Sequence, residues 1–124
     1  MEFKENQAIY RQIADYICEN ILVTTWEEKD RIPSIREMAV ATEVNPNTVM
    51  RTYTYLQNLG IIYNERGIGY FVASDALERI VALKKEEFIS NDLPELFKKM
   101  DMLGISFDEI ERLYRQQKGG NGQS

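Results

Sequence analysis

Apolar residues recur at every fourth position from Ile9 through Ile13 and Ile17 to Ile21, with Tyr10 and Ala14 on the same stripe. Arg11, Asp15 and Glu19 fall on the opposite side. That spacing follows the period of an amphipathic helix and predicts a first helix over residues 6–23. Trp26 and the charged turn Glu27-Glu28-Lys29-Asp30 come next. Pro33 biases Ile32 toward extended backbone, because its ring crowds a helical residue before it. Ser34 and Glu37 stand three apart, the spacing at which each side chain can cap the other's backbone N–H. A short second helix over about 35–42 follows, with Ile35, Met38 and Ala39 facing inward. Glu43-Val44 makes the turn. Asn45 is a good N-cap, and Pro46 suits a first helical position, where its missing N–H costs nothing. The third helix runs over 46–59, buries Val49, Thr52, Tyr53, Leu56 and Leu59, and ends at Gly60 as a left-handed cap.

Ile61-Ile62-Tyr63 and Tyr70-Phe71-Val72 are short β-prone runs joined by a loop containing Gly67 and Gly69, which reads as a hairpin. Ser74-Asp75 then opens a fourth helix, roughly 75–90, with Leu77, Ile80, Val81, Leu83 or Lys84, and Phe88 as its apolar positions. Ser90-Asn91-Asp92 is expected to break it. A fifth helix spans 93–103 and stops at Gly104. Ser106 and Glu109 form a second capping box that opens a sixth helix, to about Gln117. The tail from Gly119 to Ser124 is rich in glycine and is expected to be disordered.

Helix, helix, short turn, helix, hairpin is the order of a winged helix-turn-helix, in which the second helix of the motif enters the DNA major groove N-terminus first. The fold class expected is mainly α with a small β-hairpin. Residues 1–73 form the winged helix-turn-helix, 74–118 an α-helical dimerisation region and 119–124 a disordered tail. Phe88, Leu93, Leu96, Phe97, Met100, Met102, Leu103, Ile105, Phe107, Ile110, Leu113 and Tyr114 offer apolar surface that reads either as a private core folding back on the first domain or as a two-fold dimer interface. The dimer is favoured, because such motifs read paired half-sites with a symmetric pair. Residues 75–118 are too short to enclose a ligand-sized pocket and still bury their own stripes.

Composition narrows the function. The chain has 124 residues, 44% of them hydrophobic, which suits one small domain with an appendage. No apolar run approaches the length of a membrane span, and the polar start lacks a signal peptide's apolar stretch, so a cytoplasmic protein without membrane contact is expected. Cys18 is the sole cysteine and histidine is absent. An intrachain disulfide, a Cys/His zinc site and a Ser-His-Asp triad are thereby excluded. Cys18 sits on an apolar helix face and reads as inert packing. Glu86-Glu87 lies on a helix surface and reads as solvated, so no enzyme, cofactor or metal is expected.

The net charge of −5 runs against nucleic acid at first sight. Its distribution matters more than its total. Between Arg31 and Ala73, four arginines (Arg31, Arg36, Arg51 and Arg66) face three glutamates, a local net charge of +1. Within that stretch, Asn45, Asn47 and Thr48 open the third helix. Asparagine can pair with adenine, threonine can bond a base or touch a thymine methyl, and Arg51 one turn on can reach guanine or phosphate. Arg36 is a cation in a helix's first turn, an unfavourable place that a bound phosphate would offset. Arg66 and Gly67 at the hairpin tip can lie along the backbone or in the minor groove. Taken singly, each of these residues also has a plain structural reading as a cap, a solvated charge or turn chemistry. Their order within one module is what points to DNA.

The stretch from Ile9 to Val72 resembles the DNA-binding domain of the GntR family of bacterial transcription regulators. The resemblance is carried by Tyr10-Arg11-Gln12-Ile13, by Arg31 through Ala39, by Val44-Asn45-Pro46-Asn47-Thr48-Val49, by Leu56 through Ile62 and by Arg66 through Val72. The Val-Asn-Pro-Asn-Thr-Val form and the short helical remainder are similar to the YtrA-like subfamily. The resemblance implies a homodimeric repressor that binds double-stranded DNA at a palindromic operator and controls a neighbouring transporter operon, with no small-molecule effector expected. It implies DNA contacts from Arg36, Asn45, Asn47, Thr48, Arg51, Arg66 and Gly67. Many members carry arginine where Pro46 and Met50 stand, so the operator of this chain must differ from theirs. The alternative is a winged helix that binds another protein and no DNA.

Overall fold

A computed structural model describes Phe3 and residues 7 to 121. In it α1 spans Ile9–Leu22, α2 Ile35–Thr42, α3 Pro46–Asn58, β1 Ile62–Glu65, β2 Gly69–Val72, α4 Ala76–Glu87, α5 Leu93–Leu103 and α6 Phe107–Asn121. The chain divides into two compact units, residues 1–84 and 85–124.

The first unit is organised by the α1 stripe. Ile13, Ala14, Ile17, Cys18 and Ile21 are buried against Met38 and Ala39 of α2, Val49, Tyr53 and Leu56 of α3, and Ile61, Ile62 and Val72 from the wing. Ile9, the expected first member of that stripe, is instead exposed. It occupies the first helical turn, before α1 is covered. Tyr53 is fully buried, donates its hydroxyl hydrogen to the Pro33 carbonyl at 2.6 Å, and meets the Tyr70 ring edge to face at 4.8 Å. Burial holds its phenol protonated, well above the ordinary tyrosine range.

The caps that set the helix-turn-helix are local. The Ser34 hydroxyl accepts from the Glu37 N–H at 3.0 Å, and the Ser34 N–H donates to the Glu37 carboxylate at 2.8 Å. The Ser34 N–H donated to the Glu37 carboxylate holds that carboxyl below its ordinary value of 4.5, and the Ser34 hydroxyl beside it adds to the effect. Its stabilising effect is therefore complete above that value and is lost as pH falls through the lower folded value. A Ser34→Ala variant is expected to lose about 1 kcal/mol with its cap and to keep most of the acid limb, because the backbone N–H at position 34 remains, whereas Glu37→Gln is expected to flatten it. Chemical denaturation between pH 3 and pH 7 measures both effects, and an unchanged acid limb in Glu37→Gln would remove Glu37 from the account. Glu43 closes α2 in the left-handed conformation at φ 57°, with Val44 N–H returning to the Ala39 carbonyl at 3.1 Å.

β1 and β2 pair antiparallel, Ile62 with Val72 through Glu65 with Gly69. The expected hairpin is accompanied by a third segment. Arg31 bridges to Phe71, and Ile32 N–H donates to the Tyr70 carbonyl at 3.0 Å. The extended residues before Pro33 therefore brace the wing against the start of α2. Gly69, at φ +149°, lies under the Arg31 side chain, and a Cβ there would stand 2.8 Å from the Arg31 Nε.

Three boundaries differ from the sequence reading. The first unit continues past residue 73, because Ala76 and Ile80 of α4 enter its core and Lys84 pairs with Asp15 of α1 at 2.8 Å. Leu77 and Val81, expected on the inward stripe of α4, are exposed. Ser90-Asn91-Asp92 does not break the chain's helical course. Residues 88–92 form a widened π-helical turn that runs directly into α5. Pro94 accounts for it: a proline has no N–H for the α-helical ladder and its ring crowds the carbonyl four residues back, which a local widening relieves. At the other end, Gly119, Gly120 and Asn121 continue α6 and are not the disordered tail the composition suggested. Glycine weakens a helix without forbidding it, and each added residue gains a backbone bond. The rest of that expected tail, residues 122–124, lies outside the described residues.

Candidate nucleic-acid interface

α3 presents its first turn on a polar, exposed helix end. Asn45 caps it by accepting from the Asn47 N–H at 2.8 Å. One lone pair of its amide oxygen is thus engaged in the helix, which fixes the direction of the side chain while its NH2 donors stay open. Asn47 is exposed and Thr48 half-buried. Arg36 is exposed in the first turn of α2. Arg66 and Gly67 are exposed at the hairpin tip. Gly67 takes φ +79° with open space where a Cβ would be, which leaves backbone accessible to a close approach.

Arg51 is the residue whose surroundings the sequence did not disclose. Its guanidinium lies 3.9 Å from the centre of the Tyr10 ring. Tyr10 meets Tyr55 edge to face at 5.8 Å, and the Arg11 guanidinium lies 4.9 Å from the Tyr55 ring. The Tyr10 backbone is fixed as well, since its carbonyl accepts from the Thr52 hydroxyl at 2.9 Å. Stacking uses the flat face of a guanidinium and leaves its in-plane N–H donors geometrically open to an acceptor. Arg51 therefore presents a charge of restricted direction rather than a freely swinging one. Tyr10, read from the sequence as part of the apolar stripe, is the missed member of this surface.

Tyr10, Asn47, Met50, Arg51, Thr54 and Tyr55, with Asn58, line one open concavity of ≈ 580 Å³ along the outer face of α3. Of the residues expected at DNA, Asn47 and Arg51 share this concavity. Arg36 on α2 and Arg66 and Gly67 on the wing lie outside its lining. No group of carboxylate or cysteine side chains suited to a metal ion occurs among the described residues.

The family model for gntR-family bacterial regulatory proteins matches residues 9–72, the span from the start of α1 to the end of β2. The chain belongs to the gntR family. Its similarity to relatives continues beyond that domain. It is 38% identical over 109 residues to the HTH-type transcriptional regulator YhcF of Bacillus subtilis, covering 88% of each chain. It is 32% identical over 111 residues to the HTH-type transcriptional repressor YtrA of the same organism, covering 90% of this chain and 82% of that one. A solved crystal structure of a GntR-family protein from Bacteroides thetaiotaomicron superposes with a TM-score of 0.79 at 50% identity, covering 93% of this chain and all of the other. This gntR-family chain is a DNA-binding transcription regulator with a winged helix-turn-helix, and its relatives are named as transcriptional regulators. No helix among the described residues is long and apolar enough to cross a membrane.

Proposed function

We propose that this gntR-family regulator is a cytoplasmic homodimeric repressor that occupies a palindromic operator. The first turn of α3 lies in the major groove, Arg36 and Arg51 meet phosphate or base from its flanks, and Arg66 and Gly67 reach the adjacent groove. The observation that carries the dimer is the second unit. None of its described residues is fully buried, while Phe97, Met102, Leu103, Phe107, Leu113 and Tyr114 are exposed. A contiguous helical unit with that much uncovered apolar surface is unstable in water alone, and a second copy of the same surface covers it with the two-fold symmetry a palindrome requires. Similarity to a protein named as a repressor supports repression over activation. A transporter operon next to the chain's own gene is the first place to seek the operator.

Selection of bound duplexes by the purified full chain tests this reading, with a two-fold symmetric motif as the expected product. Failure to enrich any motif overturns it. On the recovered operator, Arg36→Ala is expected to weaken binding about 10- to 100-fold and to reduce the salt slope by about 1 per copy, about 2 for the dimer. Titration of affinity against salt measures this, and an unaltered slope removes Arg36 from the phosphate contacts.

A further inference from the structure

Beyond Pro46 at its start, α3 is polar on its exposed side with one departure. Met50 stands 51% exposed there, in the concavity that also holds Asn47, Arg51 and Thr54. Asn47, Met50 and Thr54 follow one another at helical spacings of three and four, so they form a strip along a single face. A methionine gains nothing from water at such a position, and the first unit's core is complete without it. Apolar groups are scarce in the DNA major groove. The C5-methyl of thymine is the one that projects into it, and it marks the A·T pair that an asparagine amide reads on the adenine side.

Resting on the reading of α3 as the groove-entering helix, we infer that Met50 is a specificity-determining residue that packs on a thymine C5-methyl group, beside the base met by Asn47. Arg51 does not compete for that position, because its guanidinium is drawn onto the Tyr10 ring. Charge therefore flanks the strip while an apolar side chain occupies its middle. The half-site read by this chain then contains a thymine whose methyl group, and not its hydrogen-bonding edge alone, is recognised.

Deoxyuridine provides the test, since it pairs as thymine does and lacks only the methyl. Duplexes recovered by selection with the full chain are resynthesised with each thymine of the half-site replaced in turn by deoxyuridine. At one position the wild type is expected to bind about fourfold more weakly per half-site, the loss that goes with one unburied methyl group. Met50→Ala is expected to bind the thymine and deoxyuridine duplexes equally, and Met50→Leu to restore a preference for thymine. Met50 is exposed, so these variants are expected to keep the wild-type melting curve. Indifference of the wild type to deoxyuridine at every thymine overturns the inference, as does a Met50→Ala variant that keeps the full penalty. Both results would leave the DNA-binding reading intact, whereas selection that enriches no motif removes both together.

Discussion

A Tyr53→Ala variant is expected to melt about 12–40 °C below the wild type. Tyr53 is fully buried, and its ring joins α3 to the wing through Tyr70. Removing a buried aromatic ring typically costs about 3–5 kcal/mol, and in a unit of this size each kcal/mol moves the midpoint by about 4–8 °C. The Tyr53→Phe variant separates packing from polarity. It keeps the ring and loses only the hydrogen bond to the Pro33 carbonyl, so a loss of about 1 kcal/mol is expected. Thermal denaturation followed by circular dichroism distinguishes them. If Tyr53→Phe falls as far as Tyr53→Ala, the contact with Pro33, and not the ring, holds α3 to the start of α2.

The second large effect concerns the unit boundary. Every fully buried residue among those described lies at or before Ile80. A chain ending at Lys84 is therefore expected to keep its fold with little loss of stability, to sediment as a monomer, and to bind its operator about 10²- to 10⁴-fold more weakly. The weakening comes from losing the second half-site as an intramolecular event, with every contact in the first half-site preserved. A shortened chain that is unfolded would show that residues after Lys84 complete the first unit. A full-length chain that is monomeric at its operator concentration would remove the dimer from the proposal.

The helix-turn-helix was legible in the sequence because its boundaries are written by neighbours. Ser34 with Glu37 and Asn45 with Asn47 form caps from residues two or three apart, and Pro46 needs no partner at all. The bounds expected for α2 are those observed, and α3 begins where Asn45 and Pro46 placed it. What escaped the sequence depends on residues far apart in the chain. The Arg31 to Phe71 bridge spans the whole helix-turn-helix, and Tyr10 meets Arg51 across two helices. Periodicity assigns Tyr10 to an apolar stripe and cannot say that its ring faces a cation. The π-helical turn failed for another reason. Ser90-Asn91-Asp92 carries strong breaking signals, and these take no account of Pro94 two residues on. In the folded chain the same proline is absorbed by loosening one turn. For the interface, Arg36, Asn47, Arg66 and Gly67 are exposed where the sequence placed them. The capping by Asn45 was legible too, whereas the stacking of Arg51 on Tyr10 is not revealed by chain order alone.

Cys18 sits in the middle of α1 with its side chain in the core shared by the first unit, and it is the chain's sole cysteine. A thiol reagent can reach that sulfur only when the helical core opens, so its rate of labelling is a clock for breathing of the DNA-binding unit. The chain thus carries a built-in kinetic reporter, with no competing thiol to correct for. Slower labelling in the presence of operator duplex would register, at a buried atom far from any base, how firmly the nucleic acid holds the unit shut.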